Sequence, residues 1–290
     1  MYDGLVGYIV HEYRDSDSQA ASRLPIGTFF FAEHSIGPGA AGCVQYIVTC
    51  RHVIEGFIRD SPPKRMFIRV NSGPHGFAED FEINVGDWVF VDNVDVAVAR
   101  WTLPAQRQFW AYPVERRQPF GLFPGQNTFF IGMFAGAPGF VSVQAVVRTG
   151  NIARVISEVP LRFKADPEET TPCGVHLVEM HSWGGESGSP VFVFDERFPA
   201  ETPYAFNPGY GPGNEHRPAI LGVLHGQFEI AKPVMNDERE IGSANLNAGI
   251  GIVIPMRDII ATLHTPSLVE DRNREFERRK ALATDVPRSD

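Results

Sequence analysis

Cysteine, basic residues and long apolar runs are all scarce in this chain. Its three cysteines, Cys43, Cys50 and Cys173, include no C-x-x-C pair. That is too few and too scattered for a disulfide framework, and they read as reduced thiols. Lys and Arg number 26 against 35 Asp and Glu, a formal net charge of −9. This balance excludes nucleic acid or an anionic membrane surface as the main partner, because both call for clustered positive charge. No uninterrupted apolar stretch approaches the ~18 residues of a membrane span. The opening residues, MYDGLVGYIVHEYRDSDS, lack a basic n-region, an apolar h-region and a small-residue cleavage site. The expectation is a soluble, cytoplasmic protein that uses neither membrane nor nucleic acid. No internal period stands out. A zinc site at Cys173, His176 and His181 is disfavoured, because positions 176 and 181 of a strand point to opposite faces. No metal and no cofactor are expected.

Glycine and proline are plentiful, 28 and 23 in 290 residues. Together with many short apolar runs between turn residues they favour an all-β architecture. Strand-like runs occur at 5–10, 27–32, 44–54, 66–70, 89–99, 124–134, 139–147, 220–226 and 249–255. Long connections are expected at 196–218 and 227–248, and connections of that length tend to be functional. Residues 256–264 carry apolar side chains at 256, 259, 260 and 263, the helical pattern, and Thr265-Pro266 ends it. The charge-dense tail beyond it reads as a solvated or fraying helix.

Three stretches carry chemistry. The first is Gly184-Gly185-Glu186-Ser187-Gly188-Ser189-Pro190, a serine presented on a glycine turn ahead of the run Val191–Phe194. Such a turn exposes the hydroxyl and gathers the N–H groups of Gly185 and Ser187 around one small concavity, as an acyl-transfer transition state requires. The second is Val48-Thr49-Cys50-Arg51-His52-Val53, a strand delivering a histidine, the side chain suited to proton transfer near neutrality. The third is Asp95-Val96-Ala97-Val98, an aspartate at the mouth of an apolar strand. A serine nucleophile needs a base, and the base needs a third group to fix its tautomer.

The order His, Asp, Ser is that of chymotrypsin-type enzymes. The three blocks resemble the V-T-x-x-H, D-[IV]-A-[LV] and G-[DN]-S-G-G-P blocks of trypsin-like serine peptidases. Phe130-Ile131-Gly132, Thr149-Gly150-Asn151-Ile152, Leu221-Gly222-Val223 and Gly251-Ile252-Val253-Ile254-Pro255 extend the likeness toward the bacterial HtrA-type branch. The resemblance covers roughly residues 25–264. It implies an all-β, double six-stranded antiparallel β-barrel with a short C-terminal helix and the active site between the barrels. The expected division is a first strand or extension at 1–24, an N-terminal barrel at 25–110, a C-terminal barrel with its helix at 111–265, and a charged tail at 266–290. The resemblance makes Ser187 the nucleophile, His52 the general base and acid, Asp95 the orienting carboxylate with Asp92 as runner-up, and Gly185 and Ser187 the oxyanion donors.

By position the same resemblance puts His181 at the base of the primary specificity pocket, with His225 and Gly226 on its substrate-pairing side. That favours an acidic or polar residue before the scissile bond, structural histidines being the other reading. The departures are Glu186 where zymogen-activated trypsins have an aspartate, the lack of an I-V-G-G start, Ser189 in place of a glycine, and no PDZ-like segment. Control by loops or by a regulatory protein partner is therefore expected, with a polypeptide as substrate. A catalytically silent protease-like binding module and an esterase-like hydrolase on the same triad are the competing readings.

Overall fold

In the computed structural model the described residues are 4–14, 21–37, 42–59, 65–72, 76–102, 110–115, 119, 121–139, 141–164, 166, 168–194, 218–236 and 239–284. The N-terminal half contributes strands β1 (Val6–Arg14), β2 (Ala21–Ser35), β3 (Cys43–Thr49), β4 (Met66–Ser72), β5 (Phe77–Ile83), β6 (Trp88–Val89), β7 (Ala97–Trp101) and β8 (Tyr112–Pro113). They form one eight-stranded sheet in the order β5-β4-β1-β2-β3-β7-β6, with the short β8 running parallel beside β2. The C-terminal half contributes β9 (Asn127–Met133), β10 (Ala145–Leu161), β11 (Thr171–Glu179), β12 (Pro190–Val193), β13 (Ala219–Asn236) and β14 (Arg239–Pro255). These six close into a barrel in the order β10-β11-β14-β13-β12-β9. Two β-sheets followed by C-terminal helices match the expected chymotrypsin-like fold; the second sheet closes into the six-stranded barrel, whereas the first has eight strands in place of the expected six.

The aromatic run Phe29-Phe30-Phe31 explains why β2 is central: all three rings are fully buried. Each contributes ~1.5–3 kcal/mol of burial relative to an exposed side chain. β1 lies between β4 and β2, so the residues expected as an extension are interior to the N-terminal sheet. β8 carries that sheet past residue 110, to Pro113.

Three local readings change. The apolar run after Val44 is not strand to its end: β3 stops at Thr49, and helix α1 (Arg51–Arg59) carries His52 in its first turn. Val53, Ile54 and Phe57 bury one face of that helix, and Arg51 pairs with Glu55 one turn on at 2.8 Å, a helical rather than a strand spacing. The connection expected at 227–248 is strand rather than irregular over its described residues: β13 and β14 stay paired out to Asn236 and Arg239. The expected connection at 196–218 falls almost wholly outside the described residues.

Helix α2 (Met256–Leu263) matches its periodicity, and Pro266 then opens a third helix, α3 (Pro266–Thr284). Pro is favoured at a first helical position because its missing N–H would go unpaired there anyway. One face of α3 is docked through charged residues, while its other charges face solvent. Arg272, 5% exposed, donates to the Tyr46 hydroxyl at 3.1 Å and to the Leu263 carbonyl at 2.8 Å. Arg100 on β7 reaches Asp271 at 2.5 Å and Glu275 at 3.3 Å. Among the described residues no helix is long and apolar enough to cross a membrane.

Arg272→Ala leaves the buried Tyr46 hydroxyl and Leu263 carbonyl without their donor, so urea unfolding should show a loss of about 2–3 kcal/mol. Arg274→Ala, which removes only an exposed pair to Asp271, should stay within about 0.5 kcal/mol of the parent. Equal losses would mean that α3 is not anchored through Arg272.

Candidate active site

The first turn of α1 and the segment leading into β7 bring His52 onto Asp95. The His52 main-chain N–H donates to Asp95 Oδ1 at 2.8 Å, and His52 Nδ1 donates to Oδ2 at 2.8 Å. The Asp95 side chain has no exposed surface. Burial alone would push its carboxyl up, but the His52 and His225 imidazoles and their hydrogen bonds outweigh it and hold Asp95 well below the usual carboxylate range. Asp92 is a different case: its side chain is 92% exposed, and it lies 3.9 Å from Arg51.

The serine turn is fixed from both halves of the molecule. Fully buried Thr28 on β2 donates its main-chain N–H to the Ser187 carbonyl at 2.8 Å and its hydroxyl to the Gly185 carbonyl at 2.9 Å. Thr49 Oγ1 holds the Thr28 carbonyl at 2.7 Å. Gly185 and Gly188 have φ of +93° and +94°, and a Cβ at Gly188 would run into that same carbonyl. Only glycine meets both demands. Among the described residues, neither the Gly185 nor the Ser187 N–H donates within the chain. The Ser187 hydroxyl donates to the His225 carbonyl at 2.8 Å.

Glu186, between those two donors, is turned inward and fully buried. It accepts the Trp183 N–H at 2.7 Å and Arg148 Nε, from β10, at 2.9 Å. Burial pushes its carboxyl up, and the Trp183 N–H and the Arg148 guanidinium offset only part of that. Ser189 closes the turn by donating to the Glu186 carbonyl at 2.6 Å. Thr28, Arg148 and the inward Glu186 were not singled out from sequence. The acid beside Ser187 signalled a need for a buried cation, but its donor lies 38 residues away in sequence.

Cys50, His52 and Asp95 present ligand-type atoms within 4.8 Å of one another. Each is already committed: Cys50 Sγ to the Leu224 carbonyl at 3.1 Å, and His52 Nδ1 to Asp95. His181 is exposed beside Gly249, and Ser182 next to it donates to Gln227 Oε1 at 3.1 Å. His225 faces Asp95, its Nδ1 lying 2.5 Å from Oδ2, and so sits with the acid–base pair rather than beside His181. His176 is buried on β11, where loss of solvation and then Arg257 lower its pKa to about 4.

On the chymotrypsin-like fold, His52 and Asp95 are thus hydrogen-bonded to each other, and the Ser187 turn is tied to β2 and β3 through Thr28 and Thr49. No protein-family model matches the chain, and no curated protein matches it by sequence. Solved structures do match. The apo MamO protease domain from Magnetospirillum magneticum is similar at TM-score 0.48 and 14% identity, over 91% of this chain and 97% of that one. The active form of the Rv3671c protease from M. tuberculosis is similar at 0.46 and 16%, over 90% and 80%. A variant of the Tobacco Etch Virus protease follows at 0.40 and 12%, over 92% and 82%.

Arg148→Leu would leave the Glu186 carboxylate buried without its cation, a loss of about 3 kcal/mol while it is ionised. Its carboxyl already stands above its ordinary value, and losing Arg148 raises it further. Protonation therefore relieves the cost, and the deficit against the parent should be larger at pH 8 than at pH 5. Urea unfolding at the two pH values measures this, and a pH-independent deficit would contradict the pairing.

Proposed function

We propose that the chain is a serine endopeptidase. The observation that carries this reading is the double hydrogen bond of His52 to fully buried Asp95, with the Ser187 turn tied to the same core through Thr28. Held through Nδ1–H, the His52 imidazole keeps its Nε2 lone pair for a proton. Ser187 Oγ attacks the substrate carbonyl carbon as its proton passes to His52 Nε2. The charge that develops on the carbonyl oxygen is met by the N–H groups of Gly185 and Ser187. Collapse expels the amine, which takes the proton from His52, and water then repeats the sequence on the acyl-enzyme to release the acid and restore Ser187.

The Ser187 hydroxyl rests on the His225 carbonyl, so a turn about its Cα–Cβ bond must precede attack. That resting contact suits an enzyme under the control of its loops or of a regulatory protein partner. Exposed His181, beside the Ser182–Gln227 hydrogen bond, supports an acidic or polar residue before the scissile bond, with Gly226 on the neighbouring strand edge.

Intact mass after exposure to a fluorophosphonate probe should show one adduct on the parent and none on Ser187→Ala. No adduct on either would overturn the hydrolase reading in favour of a binding module. An adduct together with turnover of small esters but of no peptide library would replace peptidase with esterase. If peptides are cleaved, dominance of large apolar or basic residues before the cut would overturn the role given to His181.

A further inference from the structure

Asp95 is shared. Its Oδ2 takes His52 Nδ1 at 2.8 Å and His225 Nδ1 at 2.5 Å, while Oδ1 takes the His52 main-chain N–H. An ionised carboxylate only accepts, so each imidazole presents an N–H at Nδ1. The two rings meet edge to face, with centroids 4.7 Å apart and planes at 68°. His225 comes from β13 in the C-terminal barrel, whereas His52 and Asp95 come from the N-terminal half. The His225 main-chain carbonyl also accepts the Ser187 hydroxyl. One residue therefore touches all three members of the candidate triad.

We propose that His225 is a positioning residue for the acid–base pair. Its Nδ1–H, on Asp95 Oδ2, fixes the rotation of that carboxylate, and its ring, edge to face with His52, bounds the swing of the His52 imidazole. With Oδ2 released, Asp95 could turn about its terminal torsion and let His52 tilt, and a small misplacement of a proton acceptor is expensive in rate. Binding of substrate main chain does not depend on that torsion, so the loss belongs in kcat rather than KM. The proposal rests on the serine peptidase reading, and its test has an arm that does not.

That arm is proton NMR of the histidine-labelled protein. The parent should show two exchange-protected, far-downfield imidazole N–H signals, one per Nδ1–H on Asp95, and His225→Asn should retain one. Asn places an amide N–H near the position of Nδ1, so it keeps a donor for Asp95, whereas Leu fills the space without one.

On the best peptide substrate, His225→Leu should lower kcat on the order of tenfold to a hundredfold, with KM within about threefold, and His225→Asn should recover most of the loss. A single downfield signal in the parent would overturn the shared carboxylate. A Leu variant that keeps parental kcat, or an Asn variant as slow as Leu while folded, would overturn the positioning role. If Ser187 fails to react with the fluorophosphonate, the peptidase reading falls, and the two N–H signals still decide whether His225 holds Asp95.

Discussion

The buried charge of Asp95 is the constraint around which the two halves assemble. A carboxylate with no exposed surface is tolerable only if donors surround it, and here three N–H groups do so. Two come from the start of α1 and one from β13. Neither half can satisfy the charge by itself, so completing its coordination and bringing the halves into register are one event. The thiol of Cys50 lies nearby. Its hydrogen bond goes to the Leu224 carbonyl, and burial, with Asp95 beside it, pushes the thiol well above its ordinary value.

The nucleophile turn is held by a different balance. Its main chain is pinned from outside by Thr28, and from inside by a glutamate that folds back under it to Arg148. Because the guanidinium belongs to β10 of the same barrel, the loop carries its countercharge permanently. The countercharge that holds the turn thus belongs to the barrel itself. Ser189, with a hydroxyl where the family resemblance has a second glycine, adds an internal bond to the Glu186 carbonyl. The bare main chain of Gly132 leaves room for that hydroxyl.

The pairing of His52 with Asp95 and the glycine turn at Ser187 could be anticipated because each residue sits in a short block of recognisable pattern, an apolar run beside a polar residue for the first two and flanking glycines for the third. Helix α2 was legible through its period-3.6 pattern, whereas the second barrel was expected from the family resemblance. Partnerships across long separations were not legible. His225 looked like a pocket residue because its strand could be placed but the direction of its side chain could not, and its partner lies 130 residues away. α1 was hidden because Val48 to Ile54 is rich in β-branched residues that favour a strand, and only the Arg51–Glu55 spacing hints at a helix. The polarity of α3 concealed its docking, since a helix seated through arginines and carboxylates looks solvated when its partners on β3 and β7 are unknown.

That docking ties the order of synthesis to the order of folding. Arg100 meets Asp271, and Tyr46 meets Arg272, across separations of 171 and 226 residues. On a ribosome the N-terminal sheet emerges long before the helix that covers its Tyr46 and Arg100 side chains. Its ionic and hydrogen-bonding groups must stay hydrated until nearly the whole chain is made. The same delay applies to Asp95, whose second imidazole arrives 130 residues later. A nascent chain therefore carries His52 and Asp95 well before the serine turn and the second imidazole, and the full constellation forms only when β13 is in place.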